Sequence, residues 1–380
     1  MKKILFPYYP FANGGYPAQY ISDGMVMASE HQINALVEAG YDVTLLTSKN
    51  FPVNTSKVKH IKGNFLSKED GGQMKWKEFT ESIIEHAKKY DLIWLNSPEI
   101  RITNNKLKEQ LKPYVSKIVL VLHHYDDVPF SSFLVTMYQT MAWVLENGGR
   151  VATVSKTFSE YAKKLFTAKP GVIFKNPYHC PDLPVNFVNK FEWSNILVVD
   201  DLAQGELDSN GDFVVLGRCS EEKKLHVAVQ SFVQSGVQGR LHVITNEPVL
   251  ERKKQVYYDK LKKLSNDKVI WHVGASRSEI FKVLRKSSVL IFPSSKETFG
   301  LSAFEASSCG CKIIYGCPNV WFLSDYDIKV ENFRLNTFVK AIQSVQIPTV
   351  EEKEMVRKKW QKQGSLTAYA DRIREFIEID

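Results

Sequence analysis

Val289-Leu290-Ile291-Phe292-Pro293-Ser294-Ser295-Lys296-Glu297-Thr298-Phe299-Gly300-Leu301-Ser302-Ala303-Phe304-Glu305-Ala306-Ser307-Ser308-Cys309-Gly310 is the stretch on which the reading of this chain turns. Four consecutive apolar residues read as a buried strand that runs into a Pro-Ser-Ser turn. A helix then opens near Phe299-Gly300-Leu301 and stops at Gly310. Lys312 to Tyr315 begins the next strand, so the segment is a β-α-β unit of a parallel sheet covered on both faces. Glu297 falls in the strand-to-helix loop and Glu305, eight positions on, within the helix. The backbone N–H groups of Phe299, Gly300 and Leu301 stand at a helix start, where a diphosphate is well received.

The same alternation extends in both directions. Lys3 to Tyr9 reads as a strand entering the loop Pro10 to Gly15, and Met25, Met27, Ile33, Leu36 and Val37 mark a helix that ends near Gly40. Further strands are expected at 41–47, 91–96, 117–123, 151–155 and 172–176, with helices at 79–89, 105–115, 133–146 and 156–166. After Pro177 the chain turns loop-like, and strands resume at Phe213 to Leu216, Leu241 to Thr245 and Val269 to Val273. This predicts an α/β protein of two Rossmann-like domains with an interdomain cleft, one over 1–200 and the other over 205–360. Ligands of such sheets bind beyond the carboxyl ends of the strands, where strand order reverses.

Composition narrows the class. At 380 residues the chain is long enough for two cores, and 44% hydrophobic content fits a packed protein. Met1 to Pro7 reads as a first buried strand rather than a signal peptide, because the apolar run ends at Pro7 with no small-residue cleavage site. The longest apolar run, Ile118 to Leu122, is far short of the roughly 18 residues a membrane span needs, so a cytoplasmic protein is expected. Five cysteines, an odd number, argue for reduced thiols. Cys309-Gly310-Cys311 with Cys317 lacks the spacing of a zinc site. A net charge of +8 favours a polyanionic partner, either nucleic acid or an anionic membrane surface.

The two carboxylates in their strand-loop-helix setting resemble the E-x(7)-E motif of retaining glycosyltransferases in family 4. Val215-Leu216-Gly217-Arg218-Cys219-Ser220-Glu221-Glu222-Lys223 is similar to that family's G-R-x-x-x-x-K element. The resemblance implies a GT-B fold with a sugar-nucleotide-binding C-terminal domain, an acceptor-binding N-terminal domain, and a final helix, about 362–380, crossing back onto the latter. It implies retention of anomeric configuration, a UDP-sugar as donor, and neither a cofactor nor a metal ion. Paired cations can stabilise a leaving diphosphate without one. The site residues it implies are Glu297 on the donor sugar, Arg218 and Lys223 on the diphosphate, and His123 near the reacting centre. Glu305 would hold the ribose, and Gly14 and Gly15, with Phe299, Gly300 and Leu301, the phosphates. His272 and Gly274 would face the base. Asn176 stands where the family has Asn-Gly, but Pro177 replaces that glycine.

For the acceptor, Asp91 to Pro98 and Lys117 to His123 resemble the DNA α-glucosyltransferases of T-even phages, which implies 5-hydroxymethylcytosine in duplex DNA and a host-cytoplasm location. Lys57, Lys59 and Lys62 would then hold phosphates, with Tyr16 and Asp126 near the flipped base. A lipid-linked or polysaccharide envelope acceptor remains the alternative, with the same lysines against anionic headgroups. A sugar-nucleotide epimerase or a non-catalytic nucleotide-binding protein is the reading from another class.

Overall fold

The structure, a computed structural model, describes residues 1–8, 24–48, 58–65, 75–96, 105–122, 140–141, 143–154, 199, 201–246, 252–295, 297, 299–317, 320 and 322–378. The chain divides into two compact units, residues 1–198 with 366–380, and residues 199–365.

In the first unit, β1 (Lys3–Pro7), β2 (Asp42–Ser48), β3 (Lys59–Gly63), β4 (Leu92–Leu95), β5 (Ile118–Leu122) and β6 (Arg150–Thr153) form a sheet in the order β3-β2-β1-β4-β5-β6. Every pairing in it is parallel. The apolar runs behave as a doubly covered sheet requires, and β5, Ile-Val-Leu-Val-Leu, is buried along its full length. Helices α1 (Gly24–Glu38), α2 (Trp76–Ala87) and α3 (Asn105–Leu111) accompany these strands. The helix expected over 105–115 stops at Leu111 and tightens into a 3-10 segment, Lys112–Lys117, because Pro113 has no N–H to continue the ladder.

The basic segment at 57–62 holds a strand that hydrophobic patterning does not reveal. β3 pairs with β2 from Thr44↔Lys59 to Ser48↔Gly63, and Lys59 reaches Asp42 at 2.7 Å. Only Ile61 is apolar within it, so an edge position supplied by β2 decides its conformation rather than its own pattern. The C-terminal helix, Leu366–Glu378, belongs to this unit. The Phe376 ring meets Trp94 edge-on at 6.4 Å, and Arg150 donates to the carbonyls of Phe376 (3.1 Å) and Ile377 (2.6 Å) in the last turn.

The second unit repeats the plan. Its strands are β7 (Phe213–Leu216), β8 (Leu241–Thr245), β9 (Val269–Val273), β10 (Val289–Phe292), β11 (Lys312–Tyr315) and β12 (Ile328–Lys329), ordered β12-β11-β10-β7-β8-β9. Its helices are α4 (Leu225–Ser235), α5 (Arg252–Leu264), α6 (Arg277–Lys286), α7 (Leu301–Ser308), α8 (Leu335–Ser344) and α9 (Val350–Gln363). In each sheet the chain leaves the centre toward one edge and then returns to build the other. The order therefore reverses between β1 and β4 and between β7 and β10.

One buried cation ties the second unit together below the sheet. Lys353 on α9 is fully buried, and its ammonium donates to the carbonyls of Asp208 (2.6 Å), Arg285 (2.9 Å) and Ser287 (2.5 Å). All three donors of the ammonium thus find acceptors, two of them at the end of α6. Gly310 at φ +76° lets α7 finish against it; a Cβ there would lie 2.4 Å from the Lys353 carbonyl oxygen. Burial holds the neighbouring Cys309 thiol well above its usual range and pushes Cys311 up to about 11. These cysteines are packed thiols, Cys311 donating to the Leu284 and Ser287 carbonyls at 3.2 and 3.4 Å. Replacing Lys353 by Met leaves three buried acceptors without their donor. Urea titration is expected to show a loss of about 3 kcal/mol, and a change under about 0.5 kcal/mol would disprove the capping role.

Candidate functional site

The switch point of the second sheet gathers the residues that the sequence singled out. β7 ends at Leu216, and the chain passes through Gly217 to the 3-10 turn Glu221–Lys223. Lys224 takes a left-handed conformation, φ +49°, before α4 starts; among the described residues it is the one non-glycine with positive φ. Such backbone strain persists where neighbours over-determine it. Here the Lys224 ammonium lies 4.5 Å from the Phe333 ring centroid.

The turn delivers Lys223 to the loop that follows β10. Its ammonium donates to Oε1 of Glu297 at 2.7 Å, and the two side chains are only 22% and 10% exposed. The pair therefore bridges the strand-end loops of β7 and β10, the two strands between which the order reverses. An ammonium has three protons, so Lys223 can hold Glu297 and still donate to an arriving anion.

Arg218 is placed otherwise. Its guanidinium pairs with Glu222 at 2.6 Å, four residues away, and the two side chains are 66% and 62% exposed. This is a solvated local contact of small energetic weight.

Beyond Glu297 the chain enters α7 through Gly300, whose φ of +88° brings Val320 within 3.2 Å of where a Cβ would sit. Gly300 is the N-cap of α7 and provides no side-chain cap. The α6 N-terminus is built differently. The Ser276 side chain accepts from the Glu279 N–H while Glu279 reaches back to the Ser276 N–H, a complete capping box. The Ser276 hydroxyl and N–H hold the Glu279 carboxyl below its usual range. The first turn of α6 is thus capped from within, whereas the N-cap of α7 is a glycine with no side chain to do so.

Aromatic packing fixes the opening of α7. Phe299, buried, lies with its ring 5.6 Å from Phe304 and 5.5 Å from Phe322, and Phe304 packs on Trp360 at 5.3 Å. Phe299 therefore contributes backbone rather than side chain to this surface. Glu305, on the second turn, accepts from Arg277 at 2.5 Å, with side chains 15% and 21% exposed. Sequence reasoning missed Arg277. The available signal was Ser276-x-x-Glu279, a capping-box spacing that puts Arg277 on the first turn of a helix beyond a strand's carboxyl end.

His272 and Gly274 lie at the sheet edge. The Gly274 N–H donates to the Thr245 carbonyl at 2.9 Å. The His272 ring stacks on His242, Nε2 to Nδ1 at 2.9 Å, and His242 in turn lies 3.3 Å from Asp212. Burial, with His242 alongside, pushes His272 below the ordinary histidine range, so it is neutral at pH 7. Both rings line a furrow of 570 Å³ running between β9 and α6. In the first unit, Lys59 and Lys62 are exposed on β3. His123, Asp126, Gly14, Gly15, Tyr16, Lys57 and Asn176 lie outside the described residues.

Residues 203–316 match the family described as glycosyl transferases group 1, which spans β7 to β11 and all four of Arg218, Lys223, Glu297 and Glu305. No curated protein matches the sequence. Solved structures match over nearly the whole chain. Sucrose-phosphate synthase from Thermosynechococcus elongatus is 17% identical, with TM-score 0.68 over 99% of this chain and 98% of that one. Anabaena HepE, in complex with UDP and glucose, is 13% identical, with TM-score 0.68 over 99% of both chains. A glycosyltransferase from Rickettsia africae is 14% identical, with TM-score 0.65 over 100% and 99%. The fold is accordingly GT-B, two parallel-sheet Rossmann-like halves, and together with the group 1 match it supports a glycosyltransferase.

Proposed function

We propose that this protein transfers a sugar from a nucleoside diphosphate sugar to an acceptor hydroxyl with retention of configuration, the donor being held by the second unit at the β7/β10 switch point. The observation that carries this reading is the largely buried Lys223–Glu297 pair at 2.7 Å, with Glu297 three residues before Gly300, the N-cap of a helix. A cation and the backbone donors of a helix start suit a diphosphate. Such an arrangement stabilises the charge that develops as the glycosidic bond to phosphate breaks. Arg218 swings from Glu222 to add a second cation when donor arrives. Glu297, held in place by Lys223, accepts from the donor sugar's hydroxyls, and Glu305 accepts from the ribose. The leaving phosphate takes the acceptor's proton on the same face, so no separate base or metal ion is needed. Gly14 and Gly15 approach the phosphates, His123 stands near the reacting carbon, and His272 and Gly274 border the base.

A UDP-sugar is the donor we favour, supported by the Anabaena neighbour solved with UDP and glucose. For the acceptor we carry forward 5-hydroxymethylcytosine in duplex DNA. The net charge of +8 and the exposed edge-strand lysines Lys59 and Lys62 support a polyanion. Lys57, Tyr16 and Asp126 complete the acceptor residues of this reading. Incubation with labelled UDP-glucose and DNA containing either cytosine or hydroxymethylcytosine tests it. Label confined to the modified DNA is the expected result. Label in a lipid or polysaccharide fraction replaces the acceptor and keeps the enzyme, whereas appearance of an epimer with no transfer would falsify the transferase reading.

The two cations are expected to separate in their effects. Lys223→Ala and Arg218→Ala each lower turnover by about 10²-fold, since each removes a charge from the leaving diphosphate. Only Lys223→Ala also lowers thermal stability, by about 1–2 kcal/mol, because it takes a paired cation from a carboxylate that is 10% exposed. Calorimetry on the two variants checks the contrast, and equal melting temperatures would contradict it.

A further inference from the structure

Arg277 and Glu305 come from different β-α units and meet at 2.5 Å with side chains 21% and 15% exposed. Neither end of this contact is loose. The backbone at Arg277 is fixed by the Ser276–Glu279 capping box, and its guanidinium lies 4.9 Å from the Phe281 ring centroid on the same helix. On the other side, α7 is set by Gly300 and by the aromatic packing of Phe299, Phe304 and Trp360. An arginine held this way offers a planar fork whose geometry matches a carboxylate, and it stays charged at any physiological pH.

The contact engages Oε1 of Glu305. A carboxylate has about four acceptor positions, so one group can accept from Arg277 and from other donors at the same time. Two adjacent hydroxyls are the donors that a nucleoside ribose presents. A ribose lacking one of them leaves part of that capacity unmet in a site largely closed to water.

We infer that Arg277 is a positioning residue for the donor: it orients Glu305 so that the carboxylate grips the ribose diol, and thereby sets preference for ribose over 2′-deoxyribose nucleotides. This rests on the donor site proposed above and names the chemical feature that site selects. Arg277 itself does not touch the phosphates. Its loss acts on the donor through Glu305.

The test is a binding titration of UDP and 2′-deoxy-UDP against the wild-type chain, Arg277→Gln, Arg277→Lys and Glu305→Gln. The wild type is expected to prefer UDP by about tenfold or more. Arg277→Gln weakens UDP by about tenfold and brings the UDP to 2′-deoxy-UDP ratio close to one, as does Glu305→Gln. In transfer assays the same variant raises the donor KM while kcat at saturation stays within about threefold. Arg277→Lys, which keeps the charge and loses the fork, gives an intermediate ratio. It carries the comparison if Arg277→Gln does not fold. An arginine serving only stability lowers the melting temperature and leaves the ratio at the wild-type value. An arginine on the phosphates weakens both nucleotides equally. Either of these results overturns the inference while the donor site stands. A wild-type chain that binds neither nucleotide takes down the inference and the proposed function together.

Discussion

The Lys223–Glu297 ion pair is the contact on which the rest of the second unit's chemistry depends. Taking both charges out of water costs several kcal/mol per ion before any attraction is recovered, and well-packed apolar side chains of similar size serve stability as well or better. Its position supplies the physical reason for such a pair. It spans the loops after β7 and β10, the two strands that flank the reversal of strand order, where neither crossover helix fills the space beyond the strand ends. A cation held there by a carboxylate is already desolvated and oriented, so little reorganisation is needed when a second anion arrives.

The starts of α6 and α7, which carry Arg277 and Glu305, differ in capping. α6 closes its own first turn with Ser276 and Glu279, and this fixes the backbone from which Arg277 projects. α7 starts at a left-handed glycine, which has no side chain with which to cap it. Rigidity for this end comes from elsewhere, from the ring cluster of Phe299, Phe304, Phe322 and Trp360 and the Trp360 indole bonded to Ser307 at 2.7 Å. Below it, Lys353 gathers the carbonyls of Asp208, Arg285 and Ser287, joining the end of α6 to α9. The polar donors and acceptors of the site thus stand on a frame held by apolar packing and one buried ammonium.

The proposed residues also differ in how firmly they are held. Lys223, Glu297, Glu305 and Arg277 are mostly buried and paired between elements distant in sequence, whereas Arg218 is solvated and paired four residues away. Groups of the first kind are pre-organised; one of the second kind is free to change partner at little cost.

Short apolar runs with turn residues at their ends were enough to read β7, β8, β10, β11, β2 and β5 from sequence to within a residue or so, because strands buried on both faces need continuous hydrophobicity; the half-buried edge strand β9 was read from its Val-Ile-Trp run. β3 was not readable, since an edge strand made of Lys59, His60, Ile61, Lys62 and Gly63 owes its conformation to hydrogen bonds with β2. The same limit applies at the site. The carboxylates at 297 and 305 and the cations at 218 and 223 stood out by local spacing, and the sequence alone marked them as belonging to strand-end loops or, for Glu305, to the helix that follows. Which cation faces which carboxylate was settled by tertiary structure. It paired Lys223 with Glu297, left Arg218 with Glu222, and brought Arg277 to Glu305 across 28 positions. Local chemistry determines where a chain turns and which side chains gather at strand ends, but an ion pair between distant loops exists only once strand order has placed those loops side by side.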